Sequence, residues 1–308
     1  MGKIATREAY GNALVKMGKT NEKIVVLDAD LSKSTKTAGF SKEFPERFFN
    51  MGIAEQNLYG VSAGLAAAGK IPFASTFAMF AAGRAFEIIR NSICYPKLNV
   101  KVCATHAGIT VGEDGASHQA IEDLSLMRSL PNMVVLNPSD GVSAEKLLEL
   151  AADYYGPVYV RLGRSGVPVI YDENKAFEIG KSVEVKEGSD VTVIATGIMV
   201  NEAMIAAEEL AKENISLRVI DMHTIKPIDE DAIVKAMKET KGIVTAEEHS
   251  IIGGLGSAVA EVASEKAPGR VLRVGIMDTF GESGKPAELM VKYGLTSKEI
   301  IAKVKELV

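Results

Sequence analysis

The chain has 308 residues, 47% of them apolar and 24% charged, and a net charge of -5. That is an ordinary globular composition, long enough to build substantial cores in two domains. It offers no block of basic residues for nucleic acid, and no run approaches the roughly 18 apolar residues of a membrane span.

Lys3, Arg7 and Glu8 interrupt any apolar leader at the start. Cys94 and Cys103, the only cysteines, sit in apolar surroundings and read as buried thiols of a reducing compartment. A soluble, cytoplasmic protein is expected. The spacing predicts a helix over 6–17 with Thr6 as its cap, then a short β-branched strand over 24–27. That run ends in Asp28-Ala29-Asp30, a polar Ser/Thr/Lys loop follows over 31–36, and a surface helix or irregular turn over 40–49. Phe49-Asn50-Met51-Gly52-Ile53-Ala54-Glu55-Gln56 then leads straight into an Ala/Gly-rich helix that runs to about residue 68. Strands are expected over 71–76, 100–105, 133–136 and 158–162, and helices over 79–92, 120–128 and 142–154. Short apolar strands alternating with helices are the pattern of a parallel sheet covered on both sides.

Periodicity fades from Gly163 to about Ser189, with strand content over 182–185. A second alternating series follows. Its strands are expected over 191–195, 217–222, 243–246 and 271–276. Its helices are expected over 200–213, 229–239, 255–266, 286–292 and 298–307. The fold class is therefore α/β, with two three-layer α/β/α domains: 1–170, a linker over 171–188, and a smaller domain over 189–308.

Glu55 stands at the joint between strand-like segment and helix, in the first turn, where a carboxylate favours the helix dipole. Two readings fit it: a capping carboxylate, or a proton-handling acid among apolar neighbours. The stretch from Thr105 to Gln119 holds His106 and His118 with Glu113, Asp114 and three glycines between them. It follows a strand, where open α/β sheets place ligands. A polar pocket for an oxygen-rich substrate, a metal site of no common zinc spacing, and a plain structural loop are all consistent with it. Arg7, Arg161 and Arg164 suit a phosphate or carboxylate together, and surface ion pairs singly. Phe77 and Phe80 suit core packing or stacking on a flat heterocycle. Gly253-Gly254-Leu255-Gly256-Ser257 opens a helix that could take an anion, but tight strand-to-helix packing is the plainer reading. His223 and His249 are given no catalytic part.

Taken in order, Ala5-Thr6-Arg7, Leu27-Asp28-Ala29-Asp30-Leu31-Ser32, Gly52-Ile53-Ala54-Glu55-Gln56, Ser75-Thr76-Phe77-Ala78-Met79-Phe80 and the loop over 105–119 form one pattern. Over nearly the whole chain it resembles the carboxyl-terminal half of a transketolase, in the form split into two polypeptides. The resemblance implies a pyrimidine-binding domain followed by a transketolase C-terminal domain. It implies that Glu55 holds a proton against the pyrimidine nitrogen of thiamine diphosphate, so that the cofactor can form its C2 ylid. Phe80 would stack on that ring with Phe77 beside it, and Asp30 would line the cofactor cleft. Arg7, Ser34, His106 and Arg164 would hold the sugar phosphate. Asp114 would meet a substrate hydroxyl, and His118 the reacting carbon of the donor. His106 and His118 join Glu55 as the catalytic candidates.

The Gly-Asp-Gly…Asn motif that binds diphosphate and its metal in such enzymes is missing here; Gly112-Glu113-Asp114-Gly115 does not fit it. The resemblance thus implies an N-terminal partner subunit carrying that motif and Mg2+ or Ca2+, a heterotetramer, and no metal ligands in this chain. Glu113 would reach toward the subunit interface. The expected activity is reversible ketol transfer from xylulose 5-phosphate to ribose 5-phosphate or erythrose 4-phosphate. The rivals are a deoxyxylulose-phosphate synthase, the β subunit of a 2-oxo acid dehydrogenase, and a non-catalytic scaffold subunit.

Overall fold

The computed structural model describes residues 2–308; Met1, which the domain reading includes, lies outside the described residues. Seven strands form the first sheet in the order Thr224–Lys226, Val134–Leu136, Val158–Arg161, Lys101–Thr105, Ile71–Phe77, Ile24–Asp28, Phe48–Asn50. All its neighbours run parallel except Thr224–Lys226, which is antiparallel to Val134–Leu136. Five strands form the second, in the order Val271–Ile276, Ile243–Ser250, Val191–Ala195, Leu217–Asp221, Val183–Lys186, of which only the last pairing is antiparallel.

The central strands are buried along their whole length, which is why they read as continuous apolar runs. Alternation then divides their side chains. Val25, Leu27, Val102 and Ala104 pack on the side of helix Glu55–Ala67. Ile24, Val26 and Cys103 pack on the other side, with helices Thr6–Thr20 and Gly141–Asp153. Each such fully buried aliphatic stabilises the fold by roughly 1.5–3 kcal/mol. The first cluster runs on into the second half of the chain through Ile220, Met222, Ile233, Leu255 and Val259. The two halves therefore share apolar core.

Several expectations change. The helix expected over 79–92 is split: Phe80–Arg84 and Ile89–Cys94 wind as π turns around a short α segment, Phe86–Ile88. Five-residue hydrogen bonds mark both turns, Ala85 N to Phe80 O at 3.2 Å and Tyr95 N to Arg90 O at 2.9 Å. Such bulges recur at functional sites. Helix 120–128 shortens to Asp123–Arg128. Thr6 does not cap its helix, because Ala5 holds that place; the Thr6 hydroxyl instead accepts from Gly163 N at 2.7 Å. The fading stretch carries two strands: Gly166–Pro168 pairs with Lys3–Ala5, and Val183–Lys186 edges the second sheet. The helix Leu255–Lys266 takes its anion from the chain itself. Glu247 accepts from Leu255 N at 2.7 Å and Gly256 N at 2.8 Å. Neither cysteine is in a disulfide, and both are buried.

Candidate functional site

Polar side chains gather at the carboxyl ends of strands Ile24–Asp28, Ile71–Phe77 and Lys101–Thr105, where a parallel sheet leaves its crevice. Asp28 shapes one wall. Its carboxylate accepts from Leu31 N (2.6 Å), Thr35 Oγ1 (2.6 Å) and Thr37 Oγ1 (2.9 Å), and so fixes the loop that carries Ser34. Burial raises the Asp28 carboxyl above its ordinary value, and these donors oppose the rise. Asp30, exposed and left-handed at φ 61°, exchanges hydrogen bonds with Asn50, which also receives Gly52 N. Asp30 is thus bound to the segment leading into Glu55.

Arg7, Ser34 and His106, distant in sequence, meet. Arg7 Nη1 donates to the Ser34 carbonyl at 2.9 Å and lies 3.3 Å from His106 Nε2. A guanidinium only donates, so Nε2 accepts; the proton belongs on Nδ1, which bonds Thr105 Oγ1 at 2.9 Å. Burial, then Arg7, Arg164 and His118, push the His106 pKa down to about 3. The imidazole is neutral at pH 7, a hydrogen-bonding group and not a cation. Arg164 donates from Nη1 to Val111 O and, at 2.9 Å, to Glu113. In this chain Glu113 therefore has an internal partner. Asp114 is exposed at the end of the Ile109–Asp114 turn.

Four rings line the cleft. His106 stacks on Phe77 at 3.9 Å between centroids, and Phe77 stacks on Phe80 at 5.9 Å with planes 15° apart. His118 stands edge-on to Phe80 at 5.4 Å and to Phe77 at 6.2 Å. Its Nδ1 lies 2.9 Å from Ser117 Oγ.

Glu55 opens the helix Glu55–Ala67, and its hydrogen bond goes to the Arg84 side chain. Its side chain is 2% exposed and pairs with Arg84 Nη1 at 2.9 Å. Arg84 also lies over the Phe80 ring, 4.7 Å from its centroid. A buried carboxylate beside two nearly parallel phenyl rings suits a flat nitrogen heterocycle that carries a proton. Residue type and burial thus fit the pyrimidine half of thiamine diphosphate.

Arg161 lies apart from this group. It is 4% exposed and held by Asp123 at 2.8 and 3.1 Å, with Tyr159 on the same carboxylate. Burial works against its charge, but Asp123 outweighs burial and raises the Arg161 pKa. Its guanidinium is committed to the core, neither a surface ion pair nor a phosphate ligand.

Three contributors were not legible in sequence. Arg84 lies 29 residues from Glu55 in the chain. Glu248 reaches from the second sheet to accept from Thr110 N at 2.7 Å, and its buried carboxyl is raised by burial. Gln119 donates to Ile109 O and Glu282 O, tying the same loop to the second half of the chain. Only Gly108, left-handed at φ 80°, hints at the Glu248 contact, since a Cβ there would meet that carboxylate at 2.3–2.7 Å.

Comparison with known proteins fits this geometry. The transketolase pyrimidine-binding domain model matches residues 2–169, and the transketolase C-terminal domain model residues 180–300. A Methanocaldococcus jannaschii protein, provisionally named transketolase C-terminal section, is 56% identical over 303 residues, 97% of this chain and 95% of that one. A 6-deoxy-6-sulfo-D-fructose transketolase subunit from Clostridium sp. is 43% identical over 301 residues, 98% of this chain and 94% of that one. A solved structure described as a split gene transketolase, inactive beta4 tetramer, superposes with a TM-score of 0.93 at 62% identity, covering 99% of this chain and 98% of that one.

Proposed function

This chain belongs to the transketolase family as the C-terminal section of a split transketolase, and from that premise we propose that it supplies half of a ketol-transferring active site. The observation that carries the proposal is Glu55, a carboxylate 2% exposed at a helix start, beside the Phe77–Phe80 stack. Thiamine diphosphate, when bound, supplies a nucleophilic carbon and an electron sink for the two-carbon unit. Glu55 holds a proton at the pyrimidine nitrogen. Phe80, with Phe77 beside it, stacks on the ring, and Asp30 lines the cofactor cleft.

Arg7, Arg164, Ser34 and His106 form the anion end of the substrate channel. Two guanidinium groups carry the positive charge; neutral His106 orients Arg7 through Nε2. Asp114 meets a substrate hydroxyl, and His118 sits by the reacting carbon to orient an oxygen or move a proton. The diphosphate and its Mg2+ or Ca2+ belong to an N-terminal partner subunit with the Gly-Asp-Gly…Asn motif, in a cytoplasmic heterotetramer. The proposed reaction is reversible transfer from xylulose 5-phosphate to ribose 5-phosphate or erythrose 4-phosphate.

The test is to mix the purified chain with that partner, thiamine diphosphate and Mg2+, and to follow ketol transfer between phosphorylated sugars. Activity is expected only in the mixture. Activity of this chain alone, or none in an assembled, cofactor-loaded complex, would overturn the proposal. A sulfonated ketose belongs in the same assay, because one relative carries that substrate in its name and two guanidiniums accept either anion.

A further inference from the structure

The cation beside Glu55 has a shape and a position of its own. Arg84 ends the π turn Phe80–Arg84, donates from Nη1 to Glu55 Oε2 at 2.9 Å, and lays its guanidinium over the Phe80 ring at 4.7 Å. A guanidinium is flat, delocalised and cationic, and it presents N–H donors along one edge. Those are the features by which an aminopyrimidine would engage the same two side chains: an edge hydrogen bond to the carboxylate and a face on the aromatic ring. Glu55 is 2% exposed and Arg84 50% exposed, so the carboxylate is fixed while its partner is free to swing outward.

We propose that Arg84 is a positioning residue that holds the place of the cofactor's heterocycle. It gives the buried Glu55 carboxylate a counter-charge and a fixed direction before the heterocycle arrives, and it is displaced on binding. This rests on the reading of Glu55 as the cofactor acid. Because guanidinium and heterocycle would draw on the same carboxylate and the same Phe80 ring, the Arg84-closed population lowers apparent cofactor affinity.

The experiment is calorimetric titration of thiamine diphosphate, with Mg2+ present, into the complex of this chain with its N-terminal partner. Arg84→Ala and Arg84→Gln are both expected to bind the cofactor about fivefold tighter, the scale of one weak ion pair. Arg84→Lys keeps the charge at Glu55 and loses the flat stack, and is expected to fall between them and the unmodified chain. The cofactor-free chain carrying Arg84→Ala is expected to melt at lower temperature, since its buried carboxylate has lost its partner. Equal or weaker cofactor binding by both neutral variants overturns the proposal. Glu55→Gln in the same titration separates the premise: undiminished binding and turnover there would remove the role of Glu55, whatever Arg84 does.

Discussion

His106 lies flat against Phe77, with ring centroids 3.9 Å apart and planes tilted by 26°. The contact joins the anion end of the cleft to its aromatic wall. Pressed between that ring and Arg7, His106 resists protonation, and its pKa falls from 6.5 to about 3. Between those values the unfolded chain takes up a proton that the folded chain refuses. The contribution to stability is therefore whole above pH 6.5 and is lost as pH falls toward 3. Denaturant melts over that range should lose part of their pH dependence in His106→Gln. Nitrogen-resolved NMR at pH 7 should find the proton on Nδ1. A proton on Nε2 would contradict the Arg7 contact.

Glu55→Gln should cut turnover of the assembled enzyme by at least about a hundredfold, the usual scale of a lost acid–base group. Circular dichroism should show the fold unchanged, since half-exposed Arg84 can turn to solvent. Near-normal turnover in this variant would sink the proposed mechanism.

Arg164→Ala should raise the KM for phosphorylated donors about tenfold or more, the scale of a lost charged hydrogen bond. Unphosphorylated ketoses should be affected far less. Equal losses with both would assign Arg164 to the Val111–Glu113 turn that it also holds, and not to the anion.

Gly108→Ala strains a left-handed residue and drives a methyl group into the Glu248 carboxylate. A loss of roughly 2 kcal/mol is expected by urea denaturation, with a higher KM because the loop over 105–119 shifts. An unchanged midpoint would mean that Glu248 does not brace this loop.

Asp221 offers a second pH test, away from the cleft. Ser139 Oγ (2.6 Å) and Tyr171 OH (2.7 Å) both donate to its Oδ2, while Oδ1 has no hydrogen-bond partner among the described residues. Burial pushes its carboxyl from 3.8 up to about 7. The folded chain keeps a proton that the unfolded chain releases, so the stabilising contribution is present at low pH and lost as pH rises through 7. Asp221→Asn should be more stable than the unmodified chain at pH 8, by on the order of 1 kcal/mol, with no such gain at pH 5. A gain of the same size at both would show that Asp221 does not titrate there.

Local pattern carried much of the fold. Strands such as Ile24–Asp28 and Val191–Ala195 are short, apolar and buried on both faces, and that alone writes a parallel sheet between helices. Glu55 and the loop over 105–119 stood out because carboxylates, histidines and glycines broke an apolar rhythm at strand ends, a property of neighbours in the chain. The strand Thr224–Lys226 did not stand out, because three residues give no period and their partner, Val134–Leu136, lies in the other half of the sequence.

What only the tertiary structure decided was pairing. Arg7 and His106 are 99 residues apart, Thr110 and Glu248 138, and Arg161 left the anion group for Asp123. Burial and helix or strand preference depend on residues within a turn or two, so a sequence expresses them directly. The partner of a charge depends on which side chain the folded backbone brings within about 3 Å. That distance is set by the packing of whole sheets and helices, and no spacing along the chain contains it.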